Sequence, residues 1–401
     1  MGTRVSTQDE TKWRQATKLV RGGMSRSEFG ETSEALYLTS GYVYPDAETA
    51  AARFAGEDDG YVYSRYGNPT VTMFEERLSL LEGAETAFAT ASGMAAVYGA
   101  MACQLKAGDR IVASRALFGS CFQIITNILP RFGVEFTLVD GTDLNQWKQA
   151  LSEPAQVVFY ETPSNPGLEV IDMAAVNDMA HKAGACVVMD NIFATPILQK
   201  PLEYGADIIV YSGTKHIDGQ GRVMGGAVLS AEEFKEETLK PFTRHTGPAC
   251  SPFNAWVLLK GLETLSLRVK AQSDAALKFA KAISTMKGIE RVAYPYLDSH
   301  PQYKLCKQQM SSGGTVVTFD VAGQRQGAFD MMRQLNIIDI SNNLGDAKSL
   351  ITHPASTTHR NIGEEARAQV GIGEGMVRIS VGLEDVDDLI EDVEQALDAS
   401  R

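Results

Sequence analysis

No run of apolar residues in the chain approaches the length of a membrane span. The opening MGTRVSTQDETKWRQATK is polar and charged, with no apolar signal core. A soluble, cytoplasmic protein is the expectation. Cysteine is sparse: Cys103, Cys121, Cys186, Cys250 and Cys306 are odd in number, scattered, and never form a C-x-x-C pair. This excludes a disulfide framework and a thiolate metal cage, and it fits a reducing compartment. The six histidines form no ligand constellation, so no metal site is expected. Basic charge is also short, with 37 Lys plus Arg against 50 Asp plus Glu and a formal net charge of −13. An overall acidic field argues against nucleic acid and anionic membrane as partners. There is no internal repeat and no low-complexity linker.

What is present is ordinary globular composition: 401 residues, 44% hydrophobic and 22% charged, enough for a large buried core. Residues 1–58 lack a periodic segment that could bury a core alone, and they read as an N-terminal arm. From residue 59 short apolar runs alternate with helical patterns. The runs are TAFATAS (86–92), DRIVASR (109–115), VEFTLVD (134–140), AQVVFYETP (155–163), ACVVMDN (185–191) and ADIIVYSG (206–213). Between them lie amphipathic stretches such as DMAAVNDMAHKAG (172–184). The pattern predicts an α/β fold, a mostly parallel sheet covered by helices, over 59–256. A long helix near 255–284, a strand at TVVTFDV (315–321) and another at MVRISVGLE (376–384) predict a smaller α+β domain over 257–401. The acidic segment EDVDDLIEDVEQALD (384–398) carries apolar residues at helical spacing, and its charges read as a solvated helix face.

In such a sheet, chemistry gathers beyond the carboxyl ends of the strands. Three ends stand out. CVVMD ends in Asp190-Asn191, DIIVYS runs into Ser212-Gly213-Thr214-Lys215-His216, and FATAS runs into Ser92-Gly93-Met94 and an Ala-rich helix. A lysine past an apolar strand can be held near a low-dielectric pocket, where its neutral amine condenses with an aldehyde. A carboxylate at a neighbouring end keeps a pyridine nitrogen protonated, which makes the ring an electron sink. A Ser-Gly turn opening a helix offers N–H groups and the positive dipole end to a phosphate. Each piece alone has a bland explanation as turn, surface charge or cap. Together they describe a pyridoxal-phosphate (PLP) site: aldehyde on Lys215, ring nitrogen on Asp190, phosphate at Gly93 and Met94 with the hydroxyls of Ser212 and Thr214. The glycines at 219, 221, 225 and 226 resemble a dinucleotide loop, but their spacing is wrong and GGAVLS after them reads as a strand. Their role is then to let backbone pass close to the lysine.

Ordered motifs carry a resemblance across the chain from about residue 19 to its end. They are YSRYGNPT from Tyr63, ASGM from Ala91, ETPSNP from Glu161, VMDN from Val188, SGTKH from Ser212, SPFNAW from Ser251, HPA from His353 and RISVGLE from Arg378. By these the chain resembles the Cys/Met-metabolism group of fold-type I PLP-dependent enzymes. The resemblance implies that Lys215 binds the cofactor and shuttles protons, and that Asp190 pairs with the pyridine nitrogen. Ser92, Gly93, Met94, Ser212 and Thr214 would hold the phosphate, joined by Tyr63 and Arg65 from a partner subunit, with Tyr63 also a catalytic candidate. Phe118 would stack on the ring where many relatives carry tyrosine, so it can pack but cannot act as acid or base. Arg378 and Asn165 would receive the substrate carboxylate, a bidentate task suited to arginine. A homotetramer built as a dimer of dimers, with active sites shared between subunits, is implied.

Within the group, ETSEALYLTSGYVYPDAETAAARFAG (31–56), LFGSC (117–121), DGQGRVMGG (218–226) and SNNLGDAKSLITHPA (341–355) resemble the O-succinylhomoserine sulfhydrylase branch. That branch implies γ-replacement with O-succinylhomoserine and sulfide as small-molecule substrates, giving homocysteine for methionine biosynthesis. Cystathionine γ-synthase and O-acetylhomoserine sulfhydrylase chemistry are the nearest alternatives. Ser120 stands where methionine γ-lyases carry a reactive cysteine, which argues against a lyase. A non-catalytic binding module would not need Lys215, Asp190 and Arg378 together.

Overall fold

A computed structural model describes Thr3, Arg4 and residues 9–400 of the protein; residues 1, 2 and 5–8 of the expected arm lie outside the described residues. Seven apolar runs form strands: β1 (Thr86–Thr90), β2 (Arg110–Ser114), β3 (Glu135–Val139), β4 (Val157–Glu161), β5 (Cys186–Asp190), β6 (Ile208–Ser212) and β7 (Gly226–Ser230). A second set is β8 (Ile289–Ala293), β9 (Val316–Val321), β10 (Asp339–Ile340), β11 (Leu350–Thr352) and β12 (Met376–Ser380). The helices that matter here are α1 (Pro69–Glu82), α2 (Gly93–Ala102), α3 (Met173–Lys182), α4 (Pro252–Ile283) and α5 (Val386–Ala399).

Strands β1–β7 make one sheet of order β1-β7-β6-β5-β4-β2-β3. β2 runs parallel to β3 and β4, and β4 runs parallel to β5. At the edge, β1 pairs antiparallel with β7, Thr86 opposite Ser230 and Thr90 opposite Gly226. The sheet is therefore mostly parallel, with an antiparallel edge pair that the apolar runs alone do not reveal. By contacts the chain divides into two compact units. One is Met1–Cys103, Val210–Asp218 and Arg222–Thr264; the other is Gln104–Ile209, Gly219–Gly221 and Leu265–Arg401.

In the first unit, α1 starts where Asn68 accepts the Thr70 N–H at 2.9 Å and Pro69 takes the first helical position. Gly83 ends it in the left-handed conformation (φ 91°). Segments of the arm are tied to this helix. Tyr37 N–H donates to Thr70 Oγ1 at 2.9 Å, and Thr70 Oγ1 donates to Ala35 O at 3.0 Å. The fully buried Arg77 guanidinium meets the Glu34 carboxylate, which also receives Lys260 from α4.

In the second unit, alternate residues of the parallel strands separate the two faces of the sheet. Val112, Val158, Tyr160, Val187 and Met189 pack with Met173, Val176 and Ala180 of α3 and with Trp147. Every residue of β4 is buried, as expected for a strand covered on both faces. The small sheet has order β8-β9-β12-β11-β10, antiparallel except for the β10–β11 pair. Its core joins Phe279 and Ile283 of α4, Phe319 of β9, Val377 and Ile379 of β12, and Leu389 and Val393 of α5. Period-two alternation along β12 turns Arg378 to the face opposite Val377 and Ile379. Helix α5 departs from the solvated-face expectation at one residue. Asp392 is buried and accepts the N–H groups of Asn336, Ile337 and Ile338 at 2.8, 2.9 and 3.1 Å. The carboxylate replaces the backbone partners that this turn lacks. No helix among the described residues is long and apolar enough to cross a membrane.

Candidate active site

The first unit brings Ser92, Gly93, Met94, Ser212, Thr214 and Lys215 into neighbouring turns. Ser92 is the N-cap of α2, its Oγ accepting the Ala95 N–H at 3.2 Å, so the helix start is fixed just after β1. A Cβ on Gly93 would lie 2.6 Å from Ser212 Cβ. Only glycine lets the first turn of α2 and the end of β6 approach so closely, and the corner they form is a cradle that a side chain would fill. Lys215 lies in the turn Gly213–Ile217, where it leaves helical geometry (φ −93°, ψ −124°), and it is half-buried. Thr214 Oγ1 accepts the Gly225 N–H at 3.2 Å and lies 3.3 Å from Gly225 O. This ties Gly225 alongside the residue next to Lys215. Gly219, by contrast, belongs to the second unit, where it packs against Arg268.

Tyr63 and Arg65 form a separate group in the same unit. The Arg65 guanidinium lies 5.4 Å from the Tyr63 ring centre and 4.8 Å from that of Tyr66, and it donates to the Arg244 carbonyl. Tyr63 is 42% exposed. Among the described residues no hydrogen bond or ring contact ties this pair to Ser92, Gly93 or Ser212.

The second unit gathers Phe118, Asn165, Asp190 and Arg378. Asp190 ends β5 directly opposite Glu161, which ends β4. The Asp190 carboxyl is buried, accepts the Ile192 N–H at 3.0 Å and, among the described residues, has no basic partner in salt-bridge reach. Burial pushes its pKa up to about 7. Glu161 is pushed up as well, first by burial and then by Asp190, while its Oε2 accepts the Phe118 N–H at 2.9 Å. Two buried carboxyls side by side without a cation between them are a poor arrangement unless a positive group joins them.

Arg378 is fully buried. Its Nη1 donates to Asn165 Oδ1 at 2.9 Å, and its Nη2 donates to the carbonyls of Asn342 at 2.9 Å and Asn343 at 3.3 Å. Among the described residues its Nε has no hydrogen-bond partner and no carboxylate comes within 4 Å. Burial lowers its pKa to about 10 against the pull of Glu161. A buried guanidinium held by neutral acceptors, with a donor to spare, is built to receive an anion.

The sequence profile of the Cys/Met metabolism PLP-dependent enzymes matches residues 16–398. The chain belongs to this family. Among its relatives, the O-succinylhomoserine sulfhydrylase of Mycobacterium tuberculosis is 61% identical over 389 residues, 96% of this chain and 95% of that protein. The O-succinylhomoserine sulfhydrylase of Pseudomonas aeruginosa is 47% identical over 383 residues, again 96% and 95%. A solved structure from Campylobacter jejuni, a putative O-acetylhomoserine (thiol)-lyase with an N'-pyridoxyl-lysine-5'-monophosphate, superposes with a TM-score of 0.92. It is 30% identical and covers 96% of this chain and 100% of that one. The fold is therefore that of the fold-type I PLP enzymes, and the cofactor of this family member is PLP.

The residues fit that cofactor on their own terms. The glycine-shaped corner at Gly93 and Ser212 suits a phosphate, and the cation-poor Asp190 suits a protonated ring nitrogen. Sequence reasoning did not assign a role to Glu161, whose signal was available: a carboxylate at a strand end, one strand from Asp190. The main-chain carbonyls of Asn342 and Asn343, which accept from Arg378, were also missed. A main-chain acceptor leaves no mark in the residue type.

Proposed function

We propose that the protein catalyses γ-replacement: O-succinylhomoserine and sulfide give homocysteine and succinate, a step of methionine biosynthesis. The Cγ–O bond breaks, a Cγ–S bond forms, and succinate departs with the bonding pair. The observation that carries the substrate class is Arg378, a buried cation with a spare donor and no carboxylate partner among the described residues. We assign it the amino-acid α-carboxylate, with Asn165 holding its fork in plane. Lys215 holds the cofactor and then carries protons at Cα and Cβ of the substrate. Asp190 keeps the ring nitrogen protonated. The Ser92-Gly93-Met94 turn, Ser212 and Thr214 bind the phosphate, and Phe118 packs on the ring. When bound, PLP withdraws electrons from Cα and so makes its proton removable. Phe118 supplies no acid or base there, so more of the proton work falls to Lys215, with Tyr63 as second candidate.

The exposure of Tyr63, and the absence among the described residues of a hydrogen bond from it to the Gly93 corner, support a role toward a second copy of the chain. We accordingly propose a homotetramer, a dimer of dimers, in which Tyr63 and Arg65 complete the partner's phosphate site. We place the enzyme in the cytoplasm. The names of the two curated relatives favour sulfide over cysteine as acceptor. The test supplies PLP-loaded protein with O-succinylhomoserine and equal sulfide and cysteine, then identifies products by mass. Homocysteine as main product is expected. Cystathionine as main product would move the protein to the synthase reaction, and turnover only with O-acetylhomoserine would overturn the leaving group.

A further inference from the structure

The segment after His353 contributes a histidine that none of the roles above uses. His359 is buried in the second unit, and its Nε2 lies 3.2 Å from the carbonyl oxygen of Leu117. A carbonyl only accepts, so Nε2 carries the proton. In the neutral ring Nδ1 then accepts from Thr358 Oγ1 at 2.9 Å. The Leu117 carbonyl and the Phe118 N–H belong to one peptide plane. That N–H donates to Glu161 Oε2 at 2.9 Å. One peptide unit is thus gripped at both ends, by an imidazole on one side and a carboxylate on the other.

Two neighbours reinforce the grip. Gly119 has no Cβ, and a Cβ there would run into the Thr358 carbonyl, so the two segments touch backbone to backbone. Further along, Gln123 Nε2 donates to Asn361 O at 3.2 Å. The carboxylate end of the grip borders Asp190 across β4 and β5, and Glu161 also feels the charge of Arg378.

We propose that His359 is a positioning residue: with Glu161 it clamps the Leu117–Phe118 peptide and so sets the angle at which the Phe118 ring meets the cofactor. The proposal rests on the assignment of Phe118 as the ring that packs on PLP. Burial lowers the His359 pKa to about 4, so the clamp keeps one protonation state across the working range. Phe118 has no hydroxyl with which to hold itself, and the main-chain clamp supplies what the side chain lacks.

The test compares PLP-loaded His359→Leu, His359→Gln, Gly119→Ala and Phe118→Ala by visible circular dichroism of the bound cofactor, alongside kcat and KM. Glutamine retains an N–H for Leu117 O; leucine does not. His359→Leu should weaken the cofactor's dichroic band and lower kcat by roughly 10–100-fold, as expected for a misplaced reacting geometry, with KM for sulfide little changed. His359→Gln should restore most of both. Gly119→Ala pushes the Thr358 segment away with His359 intact and should reproduce the leucine phenotype, which decides the matter if His359→Leu does not fold. A wild-type band in folded His359→Leu and in Gly119→Ala overturns the proposal, as does a glutamine variant no better than leucine. A wild-type band in Phe118→Ala removes the premise instead, and so identifies the Phe118 assignment as the failing step.

Discussion

Replacing Arg378 by lysine keeps the charge and removes the planar fork. In the structure three contacts orient the guanidinium: Asn165 Oδ1, Asn342 O and Asn343 O, two of them at 2.9 Å. An ammonium is a point donor at the end of a flexible stem. It can satisfy the Asn165 side or reach the substrate, but it cannot present two parallel N–H groups to a carboxylate. The loss is one substrate hydrogen bond and one orienting contact, each worth about 1.5–3 kcal/mol between charged partners. Their sum, about 3–6 kcal/mol, corresponds to a fall of roughly 10²–10⁴ in kcat/KM for the amino-acid substrate. The assay is kcat/KM for O-succinylhomoserine at saturating sulfide, with PLP content measured in parallel. PLP content should be unchanged, because Arg378 is assigned to substrate and not to cofactor. A lysine variant within about threefold of wild type would overturn the carboxylate role of Arg378, as would a loss that appears only in KM for sulfide.

Three further outcomes are expected. Gly93→Ala places a Cβ 2.6 Å from Ser212 Cβ, so it should weaken PLP retention on dialysis while far-ultraviolet circular dichroism stays native. Asp392→Ala strips the acceptor from three N–H groups and should cost about 2–4 kcal/mol of stability. Burial alone would raise the Asp392 pKa, but the three N–H donors hold it below its usual value. Its contribution is therefore present above about pH 4 and lost as pH falls through the lowered pKa, so thermal melts of wild type and variant should converge in acid. Glu34→Gln leaves the fully buried Arg77 with Glu263 at 3.8 Å as its nearest carboxylate; a loss of about 3–5 kcal/mol, read as a lowered melting temperature, is expected.

Much of the architecture was legible because buried parallel strands announce themselves as apolar runs. The six runs named from pattern and the GGAVLS segment all became strands, and the helix near 255–284 is Pro252–Ile283. The antiparallel seating of β1 against β7 was not legible, since strand direction depends on partners far away in sequence. Asp190, Ser212 and Lys215 stood out as candidates because two of them end a strand and the third lies three residues beyond one, where the fold itself collects chemistry. Arg378 was legible only through its motif; the alternation of β12 shows afterwards why it faces away from the small-sheet core. Asp392 was misjudged with its acidic neighbours, because periodicity separates apolar from polar faces but does not say which carboxylate meets an exposed turn of backbone. His359 lay in a segment without strong periodicity, and its function depends on a main-chain carbonyl more than two hundred residues earlier.

The most direct test of the account is chemical marking of the cofactor lysine. PLP-loaded protein is reduced with borohydride, digested, and mapped by mass spectrometry, with Lys215→Ala treated in parallel. A single pyridoxyl group is expected on the peptide that contains Ser212, Thr214 and Lys215, and no label in the variant. A pyridoxyl group on any other lysine, or a variant that still labels and still forms homocysteine, would contradict it.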